Sequence, residues 1–165
     1  MRHILRRREI VTDDWCYAGE TAVPDAPLIV PLAELRADAA RWRQRPGRLG
    51  VLLAPEDPVE ELADELPRLA LVAVQFPNVG DGRGYSQGRL LRERLGFTGE
   101  LRAVGAGVRQ DRVYLLARCG FDTIELAAGE DPDAALRAWS RYSVGYQPGD
   151  PQVPLARQRF LAPPA

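Results

Sequence analysis

The sequence predicts an α/β fold in which strand–helix units repeat around a parallel sheet that closes part-way, like a partial (β/α) barrel. Three observations predict it. Short apolar runs recur every ~20–25 residues, each followed by apolar residues at helical spacing. Proline, aspartate and glycine stand where helices should start and stop. The later strands alternate apolar and polar residues instead of running apolar throughout. An open doubly wound sheet is the alternative architecture.

Taken in order, residues 1–18 read as two short strands, 4–11 and 15–17, with a turn at Thr12-Asp13-Asp14. Residues 19–27, rich in Pro and Ala, read as a loop. Five strand–helix units are expected between 28 and 144. Strand 28–31 precedes a helix carrying Leu32, Leu35, Ala39 and Trp42, stopped by Gly47. Strand 49–53 precedes a helix begun by Asp57-Pro58-Val59-Glu60, a capping box with proline at the first helical position, and bearing Leu62, Ala63 and Leu66. Strand 69–76 leads through a glycine-rich loop to a helix with Leu90, Leu91 and Leu95, ended by Gly96. Strand 100–104 precedes a helix near 110–119 that stops at Gly120. Strand 121–126 precedes a helix capped by Asp131-Pro132, with Leu136, Trp139 and Tyr142 on one side. Residues 145–165 are proline-rich and read as an extended tail, so the whole chain, 1–165, is expected to be one α/β domain.

The strand pattern bears on architecture. Val72, Val74 and Phe76 alternate with Ala73 and Gln75; Leu101 and Ala103 with Glu100 and Arg102; Ile124 and Leu126 with Thr123 and Glu125. A doubly wound sheet is covered on both faces and would be apolar on both. A concave face lined by Gln75, Arg102 and Glu125 suits a half-barrel; edge strands with one wet face are the competing account. Eight units would make a full barrel, which needs about 200 residues or more.

Composition narrows the chemistry. The chain has 165 residues, a formal net charge of −1, two cysteines and one histidine. It contains no lysine, so Schiff-base, P-loop and PLP lysines are excluded. With His3 as the only imidazole, Ser-His-Asp and Cys-His catalysis and histidine-based zinc sites have no donor in the core. Cys16 and Cys119 cannot supply the four thiolates of a usual iron–sulfur cluster. No metal site and no intrinsic cofactor is expected. No basic stripe with interleaved aromatics points to nucleic acid, and no apolar run reaches the ~20 residues of a membrane helix. The basic start of the chain lacks an apolar segment behind it, so a cytoplasmic protein with reduced thiols is expected.

Ligands of parallel α/β folds gather at the carboxyl ends of the strands. Three loops reach that edge: 77–86, 105–111 and 127–132. In the first, Gly80, Gly82 and Gly84 alternate with other residues just before a helix. Backbone amides of Gly82 and Gly84, the hydroxyl of Ser86, and the guanidinium forks of Arg83 and Arg89 suit a small oxyanion, with Arg102 in the crevice beside them. Asp81, Tyr85 and Asp111 are the candidates for proton transfer or hydrogen-bond donation. The structural account of the same residues is a tight turn in which Asp81 and Arg83 pair locally, and an ion pair between Glu100 and Arg102. Cys119, at a helix carboxyl end, is a packing thiol rather than a nucleophile.

Asp81-Gly82-Arg83-Gly84-Tyr85-Ser86, Arg89-Leu90-Leu91-Arg92, the run from Gly99 to Gly105, and Arg118-Cys119-Gly120-Phe121-Asp122 together resemble domain-of-unknown-function family 934 of bacteria. Tyr142-Ser143-Val144-Gly145-Tyr146-Gln147-Pro148 resembles its ending, and the likeness spans roughly 48–150. The chain departs from the family pattern at Gly105-Ala106-Gly107, where an acid is expected directly after the first glycine. The resemblance implies a place in sulfite reduction, since members are described as oxidoreductases of that process on the strength of gene neighbourhood. It carries no assigned reaction.

Residues and resemblance together give the expectation of an accessory protein of assimilatory sulfite or sulfate reduction. It would lack its own redox centre and bind a small oxyanion, or sulfite reductase or a sulfonucleotide reductase. An enzyme acting on an anionic small molecule at an arginine-lined crevice is one alternative. A structural or assembly module, able to form a homo-oligomer, is the other.

Overall fold

The computed structural model describes residues 2–20 and 25–141. The expected tail, 145–165, and Tyr142 lie outside the described residues. Eight strands form one curled, half-barrel sheet in the order β2-β1-β8-β7-β6-β5-β4-β3. They are β1 His3–Arg6, β2 Glu9–Thr12, β3 Cys16–Tyr17, β4 Leu28–Pro31, β5 Leu49–Leu53, β6 Leu71–Gln75, β7 Glu100–Val104 and β8 Thr123–Ile124. From β3 to β8 each strand lies parallel to the next one in sequence, while β1 joins β8 and β2 antiparallel.

Such a sequential order has no reversal point, so the doubly wound alternative is set aside. Core composition agrees. Val30, Val51, Leu53, Val72, Val74, Leu101, Ala103 and Ile124 face a large cluster that holds the helical residues Leu35, Trp42, Leu62, Leu91, Leu116 and Trp139. The opposite, concave face packs a small cluster, Ile29, Leu71, Ala73 and Val104, against Trp15 and no helix. Among the described residues all helices therefore lie on one side. Each fully buried Leu or Val contributes ~1.5–3 kcal/mol of hydrophobic stabilisation, so the helix-covered face dominates the folding energy.

Helix α1 (Leu32–Ala37) and α2 (Ala39–Gln44) replace the single expected helix, because Asp38 leaves helical geometry and caps α2 through the Arg41 N–H at 3.1 Å. The expected helix after β5 is two short 3₁₀ turns, Val59–Leu62 and Leu66–Arg68. Pro67 has no N–H to donate back to Ala63, which stops an α-helix there. Asp57 does not cap it; its carboxylate accepts from the Ala54 N–H at 2.7 Å. Leu62 and Leu66 still reach the core. Helix α3 (Arg83–Arg89) runs into a π turn, Leu90–Arg94, ended by Gly96 at φ +65°. Helix α4 (Val113–Arg118) follows a 3₁₀ turn at Gln110–Arg112, and α5 (Pro132–Ser140) begins where Asp131 accepts from the Asp133 N–H.

The N-terminal segment departs from expectation. Residues 4–11 are not one strand but the hairpin β1–β2, turning at Arg7 and Arg8, both at positive φ. The Thr12–Asp14 stretch is no hairpin turn. It carries the chain from one edge of the sheet to the other, because β2 ends one side and β3 the other. A short local pattern cannot tell a turn between neighbours from a strap across six intervening strands.

Helix α3 sits unusually close to the sheet. A Cβ on Gly88 would stand 2.6 Å from the Phe121 ring, and one on Gly84 2.6 Å from the Phe76 ring. Both rings are buried. Gly88→Ala should lower unfolding stability by ~1–3 kcal/mol through overpacking despite alanine's better helix propensity. Chemical denaturation with an unchanged slope is the check.

Candidate functional site

Two groups of polar residues are candidates for a site, one on the concave face and one on the loop leading into α3, and their geometry differs. The first fills the concave face. Register puts Arg102 beside Ala73 on β6 and Thr123 on β8. Its side chain is 0% exposed, as is that of Asp13 on the crossing strap. The guanidinium donates to both Asp13 oxygens at 2.9 Å and to Glu100 Oε1 at 2.8 and 3.2 Å. The Thr123 hydroxyl donates to the same Glu100 oxygen, and Arg6 donates to the other. Burial alone would lower the Arg102 pKa, but its bonds and attraction to Asp13 and Glu100 reverse the shift, so the cation is held firmly. Nearer the carboxyl ends, the Tyr17 hydroxyl donates to Glu125 at 2.8 Å. Arg2 lies over the Tyr17 ring and reaches Glu20 at 2.5 Å and Glu125 at 3.6 Å. Trp15, 4% exposed, packs below with its indole N–H unpartnered.

The second group is the carboxyl-edge loop after β6. Asp81 accepts from the backbone N–H of Arg83 at 3.1 Å and from its guanidinium at 3.0 and 2.6 Å. That pairing lowers the Asp81 pKa, chiefly through the Arg83 side-chain bond. Arg83 remains 59% exposed. Arg89 forks onto Glu93 one turn along, at 3.1 and 2.6 Å. Gly82 opens onto free space, whereas Gly84 is filled by the Phe76 ring. Tyr85 stands edge-on to Phe76 with ring centroids 5.0 Å apart. Ser86 is the fourth residue of α3 rather than its cap, since Asp81 already takes the first free amide.

The expected residues therefore divide. Gly82, Arg83 and Ser86 share the start of α3, with Asp81 closing it. Arg89 lies toward the end of that helix. Arg102 is not beside them; it faces inward, engaged by Asp13 and Glu100. Asp111 is exposed on the 3₁₀ turn before α4, where Gln110 and Arg109 are tied to Glu130. Gly105, at φ +109°, and Gly107 wrap the end of β6, the Gly107 N–H donating to the Phe76 carbonyl at 2.8 Å. Cys119 is half-buried, and burial raises its pKa.

Sequence reasoning missed Asp13, Tyr17, Arg2 and Gln87. Gln87 is buried on α3 and donates to the carbonyls of Ala54 and Asp57, tying the loops after β5 and β6 together. No local signal marks their distant partners: Asp13 meets Arg102 89 positions on, Tyr17 meets Glu125 108 positions on, and Gln87 reaches Ala54 and Asp57 33 and 30 positions back. A groove of about 430 Å³ lined by Leu28, Arg41, Trp42, Gln44 and Arg45 opens at the amino end of β4, away from these loops. Among the described residues no three His, Cys, Asp or Glu side chains are grouped to hold a metal ion, and no helix is long and apolar enough to cross a membrane.

The segments from β5 to α5, which carry Arg102, Glu100 and the carboxyl-edge loops but not the N-terminal strap, are those that a family profile recognises. The profile of DUF934, bacterial proteins of unknown function, matches residues 50–155. The chain belongs to DUF934. No curated protein matches it significantly. In this DUF934 chain several residues of the matched span serve packing. Arg92 donates to the carbonyls of Phe97, Gly99 and Gly120 and pairs with Asp122, which in turn accepts from the Leu101 N–H. The Gly-Phe contacts of α3 complete that pattern.

Two outcomes follow from the concave network. Asp13→Ala strands a buried guanidinium and should cost ~3–5 kcal/mol of stability, while replacing both partners with apolar residues should cost much less. Urea unfolding of the three chains is the comparison. Burial first, then the Glu125 charge, raises the Tyr17 pKa. A raised folded pKa makes its contribution complete below the ordinary tyrosine value of ~10 and lost as pH rises beyond it. Stability should therefore fall above that pH, and Tyr17→Phe should flatten the fall in a melting-temperature series.

Proposed function

We propose that this DUF934 protein is a cytoplasmic accessory factor of assimilatory sulfite reduction, working through its exposed carboxyl-edge loops and without a redox centre of its own. The observation that carries the reading is the state of Arg102. It is the deepest cation of the crevice, and it is consumed by Asp13 and Glu100. The two candidate cations that stay exposed, Arg83 and Arg89, each already hold a carboxylate of the chain.

Surface arginines held in place by neighbouring carboxylates suit a charged protein face better than a desolvated small-molecule pocket. Val79, exposed at the tip of the same loop, adds an apolar contact beside them. The sulfur-assimilation setting rests on the family resemblance; the partner is then sulfite reductase or a sulfonucleotide reductase.

Calorimetric titration separates the readings. The protein should bind purified sulfite reductase, with affinity reduced about tenfold or more in Val79→Asp and Arg83→Ala, a loss of ~1.4 kcal/mol or more. It should show no saturable heat with sulfite, sulfate or phosphate. Saturable binding of one of these anions, abolished by Arg83→Ala, would overturn the accessory reading in favour of an enzyme or carrier acting on a small oxyanion.

A further inference from the structure

The two edges of the half-barrel are finished differently. In β3, Cys16 and Ala18 donate to β4, through the carbonyls of Pro27 and Ile29. The outward groups are those of Tyr17, because alternate residues of a strand point their backbone groups to opposite sides. Both are satisfied. The Tyr17 N–H donates to Glu20 Oε2 at 2.8 Å, and the Tyr17 carbonyl accepts from the Glu20 N–H at 3.0 Å. That edge is closed to another strand.

The β2 edge has no such cap. The Asp13 N–H donates to the Arg2 carbonyl at 2.9 Å, which sets the phase of the hairpin. Asp13, Val11 and Glu9 then turn their backbone groups toward β1, and Ile10 and Thr12 turn theirs outward. Among the described residues nothing pairs with those outward groups. The Ile10 side chain, 40% exposed, is one of the few large apolar side chains left in solvent. A β-branched strand of this kind with free edge groups is a template for strand addition.

We infer that β2 is an interaction edge and that its occupant is a second copy of this chain, paired antiparallel about a two-fold axis at Val11. Charge decides the occupant and the direction. The strand is basic before it, at Arg7 and Arg8, and acidic after it, at Asp14, the Asp13 carboxylate being buried against Arg102. Antiparallel self-pairing sets the basic end of one copy against the acidic end of the other, twice; parallel pairing would set like against like. With Val11 opposite Val11 of the second copy, Ile10 and Thr12 exchange four backbone hydrogen bonds across the axis. Arg8 then faces Asp14 of the second copy, whose side chain is 54% exposed although it also pairs with Arg48. This is the isologous arrangement that closes as a dimer and leaves the carboxyl-edge loops uncovered.

Light scattering behind a sizing column is the test, on the full chain over a concentration series. The expected species has twice the 18.3 kDa chain mass. Thr12→Pro removes an outward N–H that the hairpin does not use, so its circular dichroism should stay native while its dissociation constant rises about tenfold or more. Ile10→Lys should weaken the dimer in the same way. Hydrogen exchange on the unmodified protein gives an independent reading: the Ile10 and Thr12 amides should be protected in the dimer and exchange fast on dilution to monomer. A chain that stays monomeric at ~100 µM, a dimer indifferent to both substitutions, or protected Ile10 and Thr12 amides in a monomer would each overturn the proposal.

Discussion

A guanidinium with no exposed surface must find its counter-charges inside the protein, and Arg102 finds them on two separate stretches of chain. Glu100 comes from its own strand. Asp13 comes from a strap that crosses the sheet from the β2 edge to the β3 edge. Removing Arg102 from water is unfavourable by several kcal/mol unless both partners are in place, so the pair dictates where the strap lies. With Asp13 anchored, Trp15 falls onto Leu71 and Ala73, and Tyr17 reaches Glu125. The concave face is closed over by residues 13–15, a strap whose reach of ~14 Å between Thr12 and Cys16 requires the sheet to curl and bring its two edges close.

The other side of the sheet obeys a different constraint, close approach. Helix α3 comes down onto Phe76 and Phe121 because Gly84 and Gly88 have no side chains in the way. Beyond its π turn, Arg92 collects three carbonyls and Asp122, locking the helix end to the amino ends of β7 and β8. Gly84, Gly88, Arg92 and Asp122, the residues of this lock, all lie within the span that DUF934 matches. A signature of packing residues identifies a fold more securely than a reaction, and the functional reading accordingly rests on which charges the packing leaves at the surface.

Those charges are few. Once Arg102, Arg92 and Arg6 are engaged, the carboxyl-edge loops offer Arg83 and Arg109, each beside its own carboxylate, together with the exposed Val79. Under the function proposed above, a surface of this composition serves recognition of a protein rather than capture of an ion. The β2 edge is a second, separate surface, and its charge order makes it complementary to itself.

Much of the architecture was legible in the sequence because it is local. The apolar runs 28–31, 49–53 and 100–104 are strands as read, and Asp131-Pro132 starts a helix as such dipeptides do. Alternation of Glu100, Arg102, Thr123 and Glu125 with apolar neighbours identified a polar face, and hence a half-barrel rather than a doubly wound sheet. The hairpin at Arg7-Arg8 was not legible, since two arginines at positive φ are poor turn formers in isolation. Nor was the segment after β5, where Asp57 turns back to the Ala54 amide instead of capping and Pro67 with a short span leaves 3₁₀ turns. The candidate site was legible only in part: the Asp81–Arg83 turn is a contact between near neighbours, whereas Arg102 required knowing that Asp13, 89 residues away, would arrive over it. Sequence by itself determined the strands, most helix ends and the identity of the charged residues. Tertiary structure alone decided which of those charges are buried together and which remain free, because a buried ion pair is set by chain crossing in space and not by spacing along the chain.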